Sequence, residues 1–178
     1  MYTFSEYFSE FVKSYKPKTE SQYFLKILES IQINFDYNYF NKIVDQNGIG
    51  NLNDIKFESL DLLISYADFI LEDNVISDTE IQDFTFLKRI FKIKEGDFKK
   101  YKNLEMNEIL KKEFIRIYSD YFVNEKEALL NLNLQSLFNL SYDEFEEIKK
   151  DEIIKSLIQG ANPKDLDIAK LPKGFTII

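Results

Sequence analysis

One stretch of this chain comes back. Residues 66–80, YADFILEDNVISDTE, carry an apolar helical pattern into a cluster of acids, turn, and restart at a capping sequence. The plan returns as IYSDYFVNEKE at 117–127, at an offset of 47 residues. Asp73 maps to Asp120 and Glu80 to Glu127, with Ile76 and Val123 at the matching place between them. Downstream the register holds without a gap, Leu87 to Leu134, Phe91 to Phe138 and Phe98 to Phe145. Only seven of the 39 pairs between 60–98 and 107–145 are identical, so identity alone argues little. The matches fall on the hydrophobic stripe and on the two acids, which is the pattern of one helix–turn–helix unit present twice. Two copies are too few for a solenoid. The expectation is an all-α, compact bundle of about seven helices with an internal two-fold helix-turn-helix duplication.

Composition agrees and removes several chemistries. Gly and Pro total eight in 178 residues, which suits long helices joined by short loops. With 17 Phe, 11 Tyr and no Trp, phenylalanine must supply the bulky packing. The chain has no Cys and no His. Disulfides, thiolate or imidazole metal sites and Ser-His-Asp or Cys-His nucleophiles are therefore excluded. Any bound metal must be a hard cation held by oxygen, namely calcium, magnesium or manganese. The net charge of −8 disfavours nucleic acid as a partner. That charge is uneven: 57–87 hold eight acids and no base, whereas 88–112 hold nine bases and four acids. The start MYTFSEYFSE has no basic n-region or long apolar core, and no stretch is long enough for a membrane span. The expected location is the cytoplasm.

In chain order, residues 1–50 read as an N-terminal aromatic-rich helical arm, 51–155 as the duplicated domain and 156–178 as a C-terminal tail. Phe4, Tyr7, Phe8, Phe11, Val12 and Tyr15 stand at helical spacing, and Lys16-Pro17 stops that helix. Thr19 with Gln22 suits the start of the next, whose stripe runs from Tyr23 to Val44. The arm is expected to pack on the core, although such aromatic density also suits a groove. DQNGIGNLND at 45–54 is a turn-rich break in which Gly48 and Gly50 permit positive φ. The first unit's helices are expected over about 57–71 and 78–91, and the second unit's over 107–121 and 125–138. Residues 94–105 form a basic connection, expected to be a solvated, charge-balancing face with a short helix over 95–101. Ser141 with Glu144 caps a last helix that Gly160 and Asn162-Pro163 close. The partly apolar tail suits docking on the domain, docking on a partner, or fraying.

Two readings meet at the acidic turns. Glu80 and Glu127 sit at the third helical position, where a carboxylate answers free backbone N–H groups and the positive end of the dipole. The aspartates lie just beyond a helix C-terminus, where exposed carbonyls make negative charge unfavourable by roughly 0.3–1 kcal/mol each. A local Asx hydrogen bond or a cation would offset that. The interval of seven, without a glycine, is not an EF-hand.

The run Asp73-Asn74-Val75-Ile76-Ser77-Asp78-Thr79-Glu80 resembles the D-G-x-I-S-x-x-E signature of the tellurite-resistance TerB-like domain family, and the duplication looks like that family's internal repeat. The resemblance covers about residues 57–150. It implies an all-helical domain with an acidic surface suspected of binding metal, at work beside membrane-associated, defence or stress-response complexes. By position the metal residues it implies are Asp73, Glu80, Asp120 and Glu127. Asn74 stands at the glycine position, and asparagine accepts left-handed backbone. Tyr121 stands there in the second copy, so that turn is expected to be the less faithful one.

The expected function is a non-enzymatic, TerB-like acidic module that binds a divalent cation and a basic protein partner. The alternative is a helical interaction, immunity or accessory protein with no metal site. An enzyme ranks below both, because nothing supplies a nucleophile or a phosphate cradle.

Overall fold

A computed structural model describes residues 2–15, 22–32 and 35–174. Among these the chain is all-helical, and its only β-type pairing is one isolated bridge between Tyr2 and Phe35. Nine α-helices are described where the sequence suggested about seven. The physical reason lies in the arm. Its single long stripe is two helices, because Asp36 caps a new start with its carboxylate accepting from the amides of Asn38 and Tyr39 at 2.7 and 2.9 Å. A one-turn helix also forms in the basic connection. The stop expected at Lys16-Pro17 and the cap expected at Thr19 lie outside the described residues.

The chain divides into two compact units, Met1–Lys102 and Asn103–Ile178. The first holds α1 (Glu6–Ser14), α2 (Gln22–Gln32), α3 (Tyr37–Gln46), α4 (Lys56–Ile70), α5 (Asp78–Ile90) and α6 (Asp97–Tyr101). The second holds α7 (Asn103–Ile117), α8 (Glu125–Leu137) and α9 (Tyr142–Ile158).

In the first unit α4 is the central element. Nine of its 15 residues are buried, and they run all round the helix. A helix buried on every side needs neighbours on every side. Helices α1, α5 and α6 pack on α4, and α2 pairs with α3. The aromatic residues of the arm go into this core: Phe4, Phe8, Phe11, Phe24 and Phe40 are all buried. Phe8 and Phe11 meet the buried ring of Tyr66 at centroid distances of 5.2 and 5.0 Å. Gly48 takes φ +70°, whereas Gly50 does not enter the left-handed region, so only one of the two expected glycines is used for backbone freedom.

In the second unit α7 is one-faced. Met106, Ile109, Leu110, Glu113, Phe114 and Ile117 are buried at helical spacing, and the face carrying Leu104 and Ile115 is exposed. Helix α7 packs on α9, with the rings of Phe114 and Phe145 edge to face at 5.2 Å. The capping box expected at Ser141 and Glu144 opens α9. The tail docks on its own unit through fully buried Leu166 and a 2.7 Å bond from the Val123 amide to the Asp165 carbonyl. Residues 175–178 lie outside the described residues.

The basic connection is not wholly solvated. Lys102 is buried and pairs with Asp61 of α4 at 2.7 Å, while Lys56 pairs with Asp97 at 2.8 Å. These two bridges hold α6 against α4. The sequence showed lysines in a run but not which one turns inward, because helical register alone does not fix which face a five-residue helix buries.

Lys88 on α5 is buried, with its ammonium 5.7 Å from the Phe84 ring centroid. Burial lowers its pKa from 10.5 to about 8. Between those values the unfolded chain holds the proton and the folded chain does not, so stability rises with pH through that window. Burial raises the hydroxyls of Tyr2, Tyr66 and Tyr118 above their ordinary value of 10, so they oppose the rise above about pH 10. Denaturant melts should therefore show a maximum between about pH 8 and 10. Lys88→Met should raise stability at pH 7 and flatten that rise. An unchanged pH profile in the variant would assign the rise to another group.

Candidate functional site: the two acidic turns

Both turns are built the same way, each within its own unit. Helices α4 and α7 have 15 residues each and start 47 apart; α5 and α8 have 13 each at the same offset. Asn74 and Tyr121 take φ +67° and +66°, and Lys92 and Asn139, also 47 apart, take +53° and +52°. The loop hydrogen bonds keep the register too. Asn74 N–H donates to the Leu71 carbonyl as Tyr121 N–H does to that of Tyr118. The expectation of a less faithful second turn is thus not met in the backbone. Tyrosine accepts the left-handed geometry, and its hydroxyl donates to Gln159 Oε1 at 2.8 Å. Left-handed backbone costs a non-glycine residue about 1–2 kcal/mol, an amount the surrounding turn must supply.

The aspartates are exposed and make Asx turns. Asp73 Oδ1 accepts from the Val75 amide at 3.0 Å, and Asp120 Oδ1 accepts from the Phe122 amide at 3.1 Å. This local bond offsets part of the unfavourable charge at a helix C-terminus. The glutamates close capping boxes. Glu80 Oε2 accepts from both the amide and the hydroxyl of Ser77 at 2.7 Å, and Glu80 is buried. Glu127 Oε2 accepts from the Asn124 amide at 3.0 Å and is half-buried. Each of the four acids therefore has one oxygen engaged in shaping its turn. Among the described residues no group of three or more acids could hold a metal ion. A hard cation at either turn would have two carboxylates at most and would need carbonyls and water for the rest of its shell.

The first turn lies in a stretch, residues 57–87, that holds eight acids and no Lys or Arg. Glu72, Asp73 and Asp78 are exposed, as is Val75 at their centre. The second turn is more apolar, with Tyr121 and Phe122 exposed beside Asp120 and Glu125.

The register of 47 also exposes residues that the sequence reading passed over. Asp83 of α5, 0 % exposed, faces inward where the second unit has Leu130. Conversely Asn131 stands where the first unit has Phe84, Tyr118 where it has Leu71, and Glu113 where it has Tyr66. All three are buried. Lys149 matches Lys102: it is buried and pairs with Glu146 at 2.6 Å. Comparing residues 47 apart for polarity, rather than for identity, carries this signal.

No protein-family model, no curated protein and no solved structure matches this chain.

Proposed function

We propose that the chain is a non-enzymatic, TerB-like acidic helical module, a duplicated helix–turn–helix unit that docks a basic protein partner through the turn of its first unit. The observation that carries the reading is the exposed set Glu72, Asp73 and Asp78 around Val75, in a stretch from 57 to 87 with no Lys or Arg. Such a patch steers a basic partner by complementarity and gives an apolar residue to seat it. The duplication is supported by equal helix lengths, equal left-handed positions and equal loop bonds at one offset. What the resemblance to TerB-like domains adds to this reading is a role beside membrane-associated, defence or stress-response complexes.

A second reading adds a divalent cation at the first turn. Asp73 Oδ2 and Glu80 Oε1 take no described hydrogen bond, so each acid keeps one oxygen for an ion after shaping the turn. One experiment addresses both readings. The tagged chain and Asp73→Asn/Asp78→Asn are used to capture partners from the cells that make it, with and without chelator. Charge-neutral changes at exposed Asp143 and Glu147 serve as the control. Loss of a basic partner with the turn variant alone is the expected result. Equal loss with the control would mean diffuse attraction and sink the docking reading. Thermal melts with calcium, magnesium or manganese decide the cation. A specific site at 100 times its dissociation constant adds about 2.7 kcal/mol, and Asp73→Asn should remove that gain.

A further inference from the structure

The solvent face of α8 is apolar where the first unit keeps it polar. Leu130, Leu134 and Leu137 of this helix are buried, whereas Leu129 and Leu132 are 58 and 64 % exposed. Three residues apart on a helix, these two leucines are neighbours on one side of it. At the offset of 47 the first unit has Gln82 and Thr85, both exposed on α5. Two helices of equal length thus show different chemistry to water at matching positions. Single exposed leucines are ordinary on a protein surface, so the charge pattern around the pair decides what it means. Residues 128–142 contain no Asp, Glu, Lys or Arg, a run of 15 in a chain of which 30% is charged; the next longest runs have eight. The charges of α8 are confined to its first turn, at Glu125, Lys126 and Glu127.

We propose that this face of α8 is the contact of a homodimer, in which α8 of one copy lies antiparallel on α8 of the other. Electrostatics selects a second copy as the occupant. Each copy carries a net charge of −8, so a two-fold contact through acidic surface sets like charges against each other. The run 128–142 is the longest part of the chain that two copies can bring together without that repulsion. A basic partner finds no carboxylate along it, and an acidic partner finds no lysine. A two-fold contact is self-complementary, with residue i meeting j and j meeting i. With the axis between Leu129 and Leu132, Leu129 of each copy meets Leu132 of the other. The same register sets Lys126 opposite Gln135 and Glu125 opposite Ser136, so the charged first turn of each helix faces an uncharged last turn. A parallel pairing would instead bring the two Glu125 carboxylates together. One helix pair with two leucines from each copy is a small contact, in the class of weak and transient associations. It uses no residue of the first acidic turn.

The test is sedimentation velocity on the full chain from about 1 µM to about 0.5 mM, the range that brackets a weak contact of this size. A monomer–dimer equilibrium that added salt strengthens is the expected result, because ions screen the repulsion between two acidic copies. Leu129→Gln/Leu132→Thr gives α8 the residues that α5 carries at the matching exposed positions. It should leave the melting temperature within about 2 °C of the parent and weaken the dimer at least about tenfold. Opposed charges test the register. Leu129→Lys alone and Leu132→Glu alone should each weaken association, and an equimolar mixture of the two should associate more strongly than either by itself, since antiparallel pairing sets the introduced ammonium against the introduced carboxylate. A chain that stays monomeric to about 0.5 mM would overturn the proposal. So would an undiminished dimer in the double variant, which would put the contact elsewhere, or a dimer that salt dissolves, which would make it one of ion pairs. A mixture no more associated than its components would overturn the antiparallel register.

Discussion

Asp83→Ala should be the most damaging single polar change in the first unit, lowering stability by about 4 kcal/mol and the melting temperature by roughly 10 °C. Asp83 lies on α5 with no exposed surface, and among the described residues it makes no ion pair. Its carboxylate is held by hydrogen bonds alone. The Tyr2 hydroxyl donates at 2.6 Å, the Ser5 amide at 3.2 Å, the Ser5 hydroxyl at close range, and the Tyr66 hydroxyl at 3.5 Å. Ser5 is also the N-cap of α1, accepting from the Phe8 amide at 3.1 Å. Tyr2 in turn stacks on Phe86 with centroids 3.9 Å apart. One carboxylate thereby ties the start of the chain, the cap of α1 and the ring of Tyr66 to α5. Truncation would strand several buried donors, and each stranded donor costs about 1–3 kcal/mol. Asp83→Asn keeps the shape but replaces an accepting oxygen with a donating NH2, so at least one of these donors loses its acceptor and the variant should recover only part of the loss. Hydrogen exchange at the Phe8 amide would show whether α1 opens before the rest of the unit. A loss below about 1 kcal/mol for Asp83→Ala would mean that water replaces the carboxylate without difficulty.

The Asp61–Lys102 pair should give the second largest effect, with a different signature. The two side chains are 9 and 10 % exposed and meet at 2.7 Å. Lys102 Nζ also lies 5.6 Å from the Phe57 ring. Asp61→Ala leaves a buried ammonium without its main counter-charge, at a cost of about 3 kcal/mol. The double change Asp61→Leu/Lys102→Met removes both desolvation penalties together and should return stability to within about 1 kcal/mol of the parent. Denaturant melts of the parent, both single variants and the double variant measure the coupling directly. A double variant as unstable as the two single losses added together would show that the pair contributes specific geometry that apolar contacts cannot replace.

These two effects mark where reading the sequence stops being sufficient. Asp83 and Asp68 are both acids on apolar-rich helices, yet Asp83 is buried and Asp68 is exposed. The difference comes from α1, which packs on α4 and α5 from a place about 75 residues earlier in the chain. Lys102 was one lysine in a basic run until α6 turned it against α4.

What the sequence determined on its own was local. The helical class, the two turns, the capping boxes at Ser77 and Ser141 and the left-handed Asn74 all follow from interactions spanning at most four residues, and such interactions are written in residue order. The offset of 47 between helix starts and between left-handed positions was legible for the same reason, since each helix pair obeys its own local rules. Tertiary structure decided the rest. It buried the arm's phenylalanines and gave the tail a seat through Leu166, whereas the split of the arm's stripe at Asp36 is a local cap spanning three residues. It also separated Phe84 from Asn131, 47 residues apart, one a ring stacked in the first unit's core and the other an amide buried beside the Tyr118 hydroxyl in the second. Local periodicity marks both as inward-facing. Only the three-dimensional surroundings tell which of them packs against rings and which lies against a hydroxyl.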